Sequence, residues 1–209
     1  MRILQGFLMF MGALAVLAIV ALVVGYVLAI LTPDIRTSLR PIVLSSESVD
    51  SFNKKMANLR TQMRNTASDT GSGDITLTLT EEEVNSTIVM SLAEGTIPAK
   101  EILINFNDGY LVLYSAWSFN MFPVKTAIIG SFDVEDKKPK FLLRSVSLGK
   151  LPLPSNLNSS AQDLTNVILR LNPTIFNPRL SYKEITISEG SIKLVGSVDR
   201  LGGAASASK

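Results

Sequence analysis

The chain has 209 residues with 20 Lys+Arg against 18 Asp+Glu, a formal charge of +2, and it contains neither cysteine nor histidine. Without cysteine there is no disulfide framework, and without histidine the commonest general base and metal ligand is missing, along with Ser-His, Cys-His and Cys/His zinc constellations. Charge this balanced sets up no field for nucleic acid, so no nucleic-acid partner is expected, and no cofactor is expected either.

From Ile3 to Pro33 no residue is charged, and Gly6–Leu31 is nearly all Ala, Val, Leu, Ile, Phe and Met. As a helix rising about 1.5 Å per residue, this stretch reaches roughly 39 Å, enough to cross an apolar layer of about 30 Å. A cleaved secretory signal is the competing reading, because Val27-Leu28-Ala29 offers small residues at signal-peptidase spacing. A signal's apolar region is only about 7–15 residues, so a retained single-pass anchor over residues 1–33 is expected. Either way the rest of the chain crosses the membrane. Arg2 on one side and Arg36 and Arg40 on the other leave the charge rule undecided. The N-terminal tail is too short to be a functional domain, so the main domain is placed on the extracytoplasmic side of the cell membrane. Ala21, Gly25 and Ala29 recur at a spacing that also suits helix packing between copies.

Residues 34–74 read as a juxtamembrane unit. Val49, Phe52, Met56, Leu59 and Met63 follow the N-cap types Ser45 and Ser46 at spacings of 3 and 4, which predicts an amphipathic helix. Its stripe is expected to pack on the domain's own sheet, with a stalk between copies or a helix lying on the bilayer as alternatives. Residues 34–68 hold six basic and three acidic side chains, which suits anionic headgroups as well as an ordinary surface. Asp69-Thr-Gly-Ser-Gly-Asp74 reads as a flexible connection.

Residues 75–200 are expected to form one α+β domain. Ile75–Thr80 alternates apolar and polar like a half-buried strand. Thr80 with Glu83 forms a capping box, and Glu81, Glu82 and Glu83 occupy the first turn, where the helix dipole favours negative charge. Asn85 has little helical propensity, and its amide is expected to bond to the neighbouring strand. Ile102, Ile104 and Phe106 lead to Asn107-Asp108-Gly109, a tight-turn signal, and Tyr110–Phe122 returns as the partner strand, ended by Pro123. Leu111, Leu113, Trp117, Phe119 and Met121 lie on one face of that strand, and Tyr110, Val112, Tyr114 and Ala116 on the other. A second apolar face requires a cover, which is helix, partner or apolar ligand.

Val124–Val134 and Phe141–Leu148 continue the meander around a polar turn at Glu135–Pro139. The two prolines of Gly149–Pro154 exclude helix and central strand there. A helix is predicted over residues 155–172, then a hairpin of Tyr182–Ser188 and Ser191–Val198, and a disordered tail at 201–209. The fold class is α+β, with an N-terminal transmembrane helix followed by a curled antiparallel sheet of six to seven strands and helices packed on one side.

Leu77-Thr-Leu-Thr-Glu-Glu-Glu-Val-Asn85 resembles the opening motif of the YpmS-like family of single-pass bacterial surface proteins, where a Thr-x-x-Glu-x-Asn pattern begins the first domain helix. The apolar anchor, the Asp108-Gly109 hairpin and Leu148-Gly-Lys-Leu-Pro-Leu-Pro154 are similar as well. The resemblance implies an envelope protein whose curled strands look like those of tubular lipid-binding domains.

These observations lead to a non-catalytic, membrane-anchored domain that binds a lipid or lipid-linked envelope ligand, lined by Leu113, Trp117, Phe119, Met121, Phe141 and Leu143. The alternative is a cell-envelope scaffold whose apolar surface meets a partner protein or a second copy. An enzyme is not expected, since no Gly-x-Ser-x-Gly elbow or phosphate-binding loop occurs.

Overall fold

Helix α1 (Arg2–Ile30) is long and apolar enough to cross a membrane, and from Val16 to Val24 its side chains are exposed, Leu17 by 68% and Leu22 by 74%. The computed structural model describes residues 2–68, 74–95, 99–119, 122–152 and 180–198. After α1 come a short α2 (Ile35–Ser38), α3 (Ser46–Ser68), β1 (Asp74–Thr80) and α4 (Glu81–Ala93). Strands β2 (Ala99–Asn107), β3 (Tyr110–Phe119), β4 (Phe122–Glu135), β5 (Lys138–Leu148) and β6 (Leu151–Pro152) follow, and then the hairpin of β7 (Leu180–Ser188) and β8 (Ser191–Val198). The expected helix at 155–172, the connection at 69–73, Met121 and the tail at 201–209 lie outside the described residues.

The strands form two antiparallel sheets, of order β1-β8-β7 and β2-β3-β4-β5-β6, rather than one sheet of six to seven strands. The division has a physical cause at the edge of β2. Antiparallel pairing uses alternate residues of β2 toward β3, which leaves Ile104 and Phe106 facing outward. There the Asn85 amide accepts from Ile104 N at 2.8 Å and donates to Ile104 O at 2.7 Å, while Phe106 N donates to the Glu81 carboxylate. Helix α4 therefore occupies the edge that β1 would need, and β1 pairs with the last strand instead, Leu77 opposite Leu194 and Leu79 opposite Ile192.

The turns at one end clip the sheets together. Gly109 N donates to Ile187 O at 2.9 Å, Glu189 N to Asp108 Oδ1 at 3.0 Å and Gly190 N to Phe106 O at 3.0 Å. At β4 the chain turns earlier than expected, so that Pro123 lies inside β4 opposite Ser118 instead of ending β3. Its position tolerates the missing N–H, because Lys125 O accepts from Gly149 N on the β5 side, and Pro123 shares that side beyond the last residue of β5.

The core draws on both sheets and α3. Phe52, Met56, Leu59 and Met63 from α3 are buried with Ile75, Leu77, Leu79, Ile192 and Leu194, so the stripe is used within the molecule, as its spacing predicts. Phe106, Leu111 and Phe141 contribute from the larger sheet. Phe141 packs edge-on to Phe132, with ring centroids 5.2 Å apart, and its ring fills the space above Gly130, where β5 bulges at Arg144. A methyl group at Gly130 would fall inside that ring. Gly130→Ala is therefore expected to cost about 1–3 kcal/mol by overpacking, and Gly130→Ala combined with Phe141→Leu should recover part of the loss. Chemical denaturation of the detergent-solubilised chain measures both.

Candidate functional site

Between the linker after α1, the start of α4 and the outer edge of β2 lies a buried polar cluster. Glu81, at the start of α4 and 4% exposed, accepts from Asn105 Nδ2 at 3.0 Å, from Phe106 N and from the Arg40 guanidinium at 3.1 Å. Arg40 also pairs with Glu189 in the β7–β8 turn and donates to Phe106 O, while its own backbone N–H donates to Asn105 Oδ1 at 2.7 Å. Burial works against the Arg40 charge, but Glu81 and Glu189 outweigh it and hold the pKa above its ordinary value. A buried carboxylate is tolerated when its lone pairs are filled in this way.

Glu83, two residues on, performs a second tie. It completes the capping box with Thr80 and accepts from Lys55 Nζ at 2.8 Å and Ser51 Oγ at 2.6 Å, joining α3 to α4. The first-turn glutamates thus act as acceptors for named donors, and only Glu82 faces solvent. Among the described residues no three of His, Cys, Asp and Glu gather as metal donors. Arg36, Arg40 and Lys55, three of the basic residues that suited headgroups in the sequence, are engaged by Glu101, Glu81 with Glu189, and Glu83.

Along this cluster runs a groove of about 370 Å³. Leu39, Pro41, Ile42 and Leu44 of the linker form one wall, Leu103 of β2 the other, and Arg36, Arg40 and Glu101 mark its polar side. Arg36 pairs with Glu101 at 2.8 Å and stands 5.4 Å over the Tyr114 ring. Burial raises the Tyr114 pKa, Glu101 adds to the rise and Arg36 opposes it. The groove provides apolar contact and a fixed cation, with no nucleophile–base pair in its walls.

The end of helix α1 is fixed to the β4 and β5–β6 side of the larger sheet. Lys150 N donates to Leu28 O at 2.8 Å, Lys125 Nζ to Thr32 Oγ1 at 2.7 Å, and Lys150 pairs with Asp34 at 2.7 Å. The last turn of α1 thus receives both a backbone donor and cations, which its open carbonyls and dipole favour. Gly149, at φ +57°, passes so close to the Leu28 and Ala29 carbonyls that any side chain would collide with them.

Of the six residues expected to line a ligand cleft, Phe141 belongs to the core, and Leu113 and Leu143 pack against it. Trp117 lies apart, half-buried, with its indole N–H donated to Ser115 Oγ at 2.9 Å. Phe119 is the last residue of β3, and Met121 lies outside the described residues. Phe141 thus contributes to the core and the partly buried Leu113 and Leu143 flank it, while the groove lies on the linker side of β2. Sequence reasoning missed Arg40, Asn105 and Glu189 because their partners are distant in the chain. No family model, curated protein or solved structure matches the chain.

The Glu83 carboxyl carries a pH signature. Burial raises its pKa, but Lys55, Ser51 and the Thr80 N–H more than reverse this and hold it below the ordinary 4.5. A carboxyl held lower in the folded than in the unfolded chain contributes stability in full above that value, and loses it as pH falls through the folded pKa. Glu83→Gln is expected to melt earlier than the parent at neutral pH and to lose less on acidification below pH 4.5. Thermal melts in detergent at descending pH check both halves.

Proposed function

We propose that the protein is a single-pass, membrane-anchored domain on the extracytoplasmic side of the cell membrane, and that it binds a lipid or lipid-linked envelope ligand without catalysis. The observation that carries this reading is the groove between residues 39–44 and Leu103, whose linker wall follows the apolar helix in the chain. Its volume stands near the low end of ligand pockets, about 300–1,000 Å³. That is room for a headgroup or a short stretch of one chain. The apolar walls suit the hydrocarbon side of an amphiphile, and Arg36 suits an anionic group beside it. Membership of the YpmS-like family, with its bacterial envelope setting, is part of the same proposal and is supported by Leu77–Asn85 and Leu148–Pro154.

A second reading, a scaffold for a protein partner or a second copy, is favoured by Val43, 77% exposed on the outer side of the same linker. Native mass spectrometry of the gently extracted chain separates the two. The ligand reading expects a lipid-sized adduct on the parent protein, lost in Leu103→Asp with little change in melting temperature. A lipid-free oligomer dispersed by Val43→Asp would replace it with the scaffold.

A further inference from the structure

Strand register fixes the height at which the anchor meets the larger sheet. Lys125 of β4 pairs with Ala116 of β3, and Ala116 with Glu101 of β2. This row adjoins the end of α1, since Lys125 bonds to Thr32 and, through its carbonyl, to Gly149, whose neighbour Lys150 bonds to Leu28. From the row the linker leaves in one direction only. Arg36 reaches Glu101, and Arg40 reaches Asn105 and Phe106 further along β2. Three more pairs of the β3–β4 hairpin extend the opposite way, Trp117 with Val124, Ser118 with Pro123 and Phe119 with Phe122. At about 3.3 Å per residue they carry the ribbon about 10 Å past the row. β5 has already ended at Leu148, opposite Thr126.

The chemistry of the two ends is opposite. Residues 117–124 carry no charge and include Trp117, Phe119, Phe122 and Val124. The turns at the other end are Asp108-Gly109, Asp136-Lys137 and Glu189-Gly190. Trp117 bonds its indole N–H to Ser115 within the sheet, so an apolar layer around the ring would strip no water from that donor. Lys125 and Lys150 stand at the row itself, where headgroups would meet cations.

We infer that the end of the β3–β4 hairpin formed by the pairs Trp117–Val124, Ser118–Pro123 and Phe119–Phe122 is a second membrane contact, set into the interfacial layer of the leaflet from which the anchor emerges. This rests on the reading of α1 as a spanning helix. The partner is the bilayer itself, because the uncharged end lies beside the anchor and points away from the departing linker. Tryptophan gathers at such depths because its ring is amphipathic, and phenylalanine adds apolar surface beside it. The domain is then held at two points, which fixes its rotation about the anchor as well as its height.

Trp117 is the sole tryptophan of the chain, so its fluorescence reports this contact alone. The full-length protein is placed in lipid nanodiscs whose acyl chains carry bromine near the headgroup. A roughly twofold loss of Trp117 emission, with weak quenching by aqueous iodide, is expected of a ring in the interfacial belt. Emission unchanged by bromine and quenched by iodide would overturn the inference while leaving the anchor in place. A chain that stays outside the nanodiscs would overturn the anchor reading and this one with it. As the chain has no cysteine, spin labels on Ser118→Cys and, at the far turn, Lys137→Cys give a second measure. Ser118 should favour oxygen over a water-soluble nickel complex relative to residue 137, and equal accessibility would refute the contact.

Discussion

The carboxylate of Glu81 is the point on which the rest of the fold converges. It lies in the first turn of α4, yet its oxygens are filled from β2 by Asn105 and Phe106 and from the linker by Arg40. Its backbone N–H also donates to Gly190 O at 2.9 Å, so the smaller sheet is held by the same residue. Removing one partner would leave a buried charge unmatched, which is far more costly than the pair is favourable. The cluster therefore specifies an arrangement more than it adds stability. Linker, helix, larger sheet and smaller sheet must all arrive before any of its members is satisfied.

The helix that carries Glu81 also decides the number of sheets. Asn85 is fully buried and forms two hydrogen bonds to Ile104, in the manner of a neighbouring strand. One side chain thus closes an edge that would otherwise accept β1 or another chain. Glu81 closes the next outward residue, Phe106. The result is a helix running along the edge of a sheet, with its own capping strand diverted to pair with the C-terminal hairpin.

Local pattern was legible in the sequence wherever the physics is local. The period-two run of β1, the capping box at Thr80 and Glu83, the α3 stripe and the turn at Asp108-Gly109 all appear where their residues indicate. The α+β class follows from those elements. The split into two sheets does not, because it depends on which edge a distant side chain occupies, and Asn85 shows only that some backbone partner is needed. Pro123 misled because proline ends a strand only where its N–H side is already paired, and there β4 has no neighbour. The site was less legible still. Leu113, Phe141 and Leu143 have the composition of a lipid-lined cleft and of a packed core alike, and composition does not distinguish guest from neighbour. Arg40 finds Glu189 across 149 residues, a distance at which no spacing rule operates.

The close approach of Gly149 to the carbonyls of Leu28 and Ala29 leaves no slack between helix and sheet. A spanning helix leans when the hydrocarbon it crosses is thinner than its own apolar length. With a loose tether such leaning would be absorbed at the joint. Here Lys150, Lys125 and the glycine backbone make the joint stiff, so the whole sheet would swing with the helix. On the proposed reading of α1 as a spanning helix, the mouth of the groove would then face a different direction in thin and thick bilayers, so that lipid thickness would set what the domain can reach.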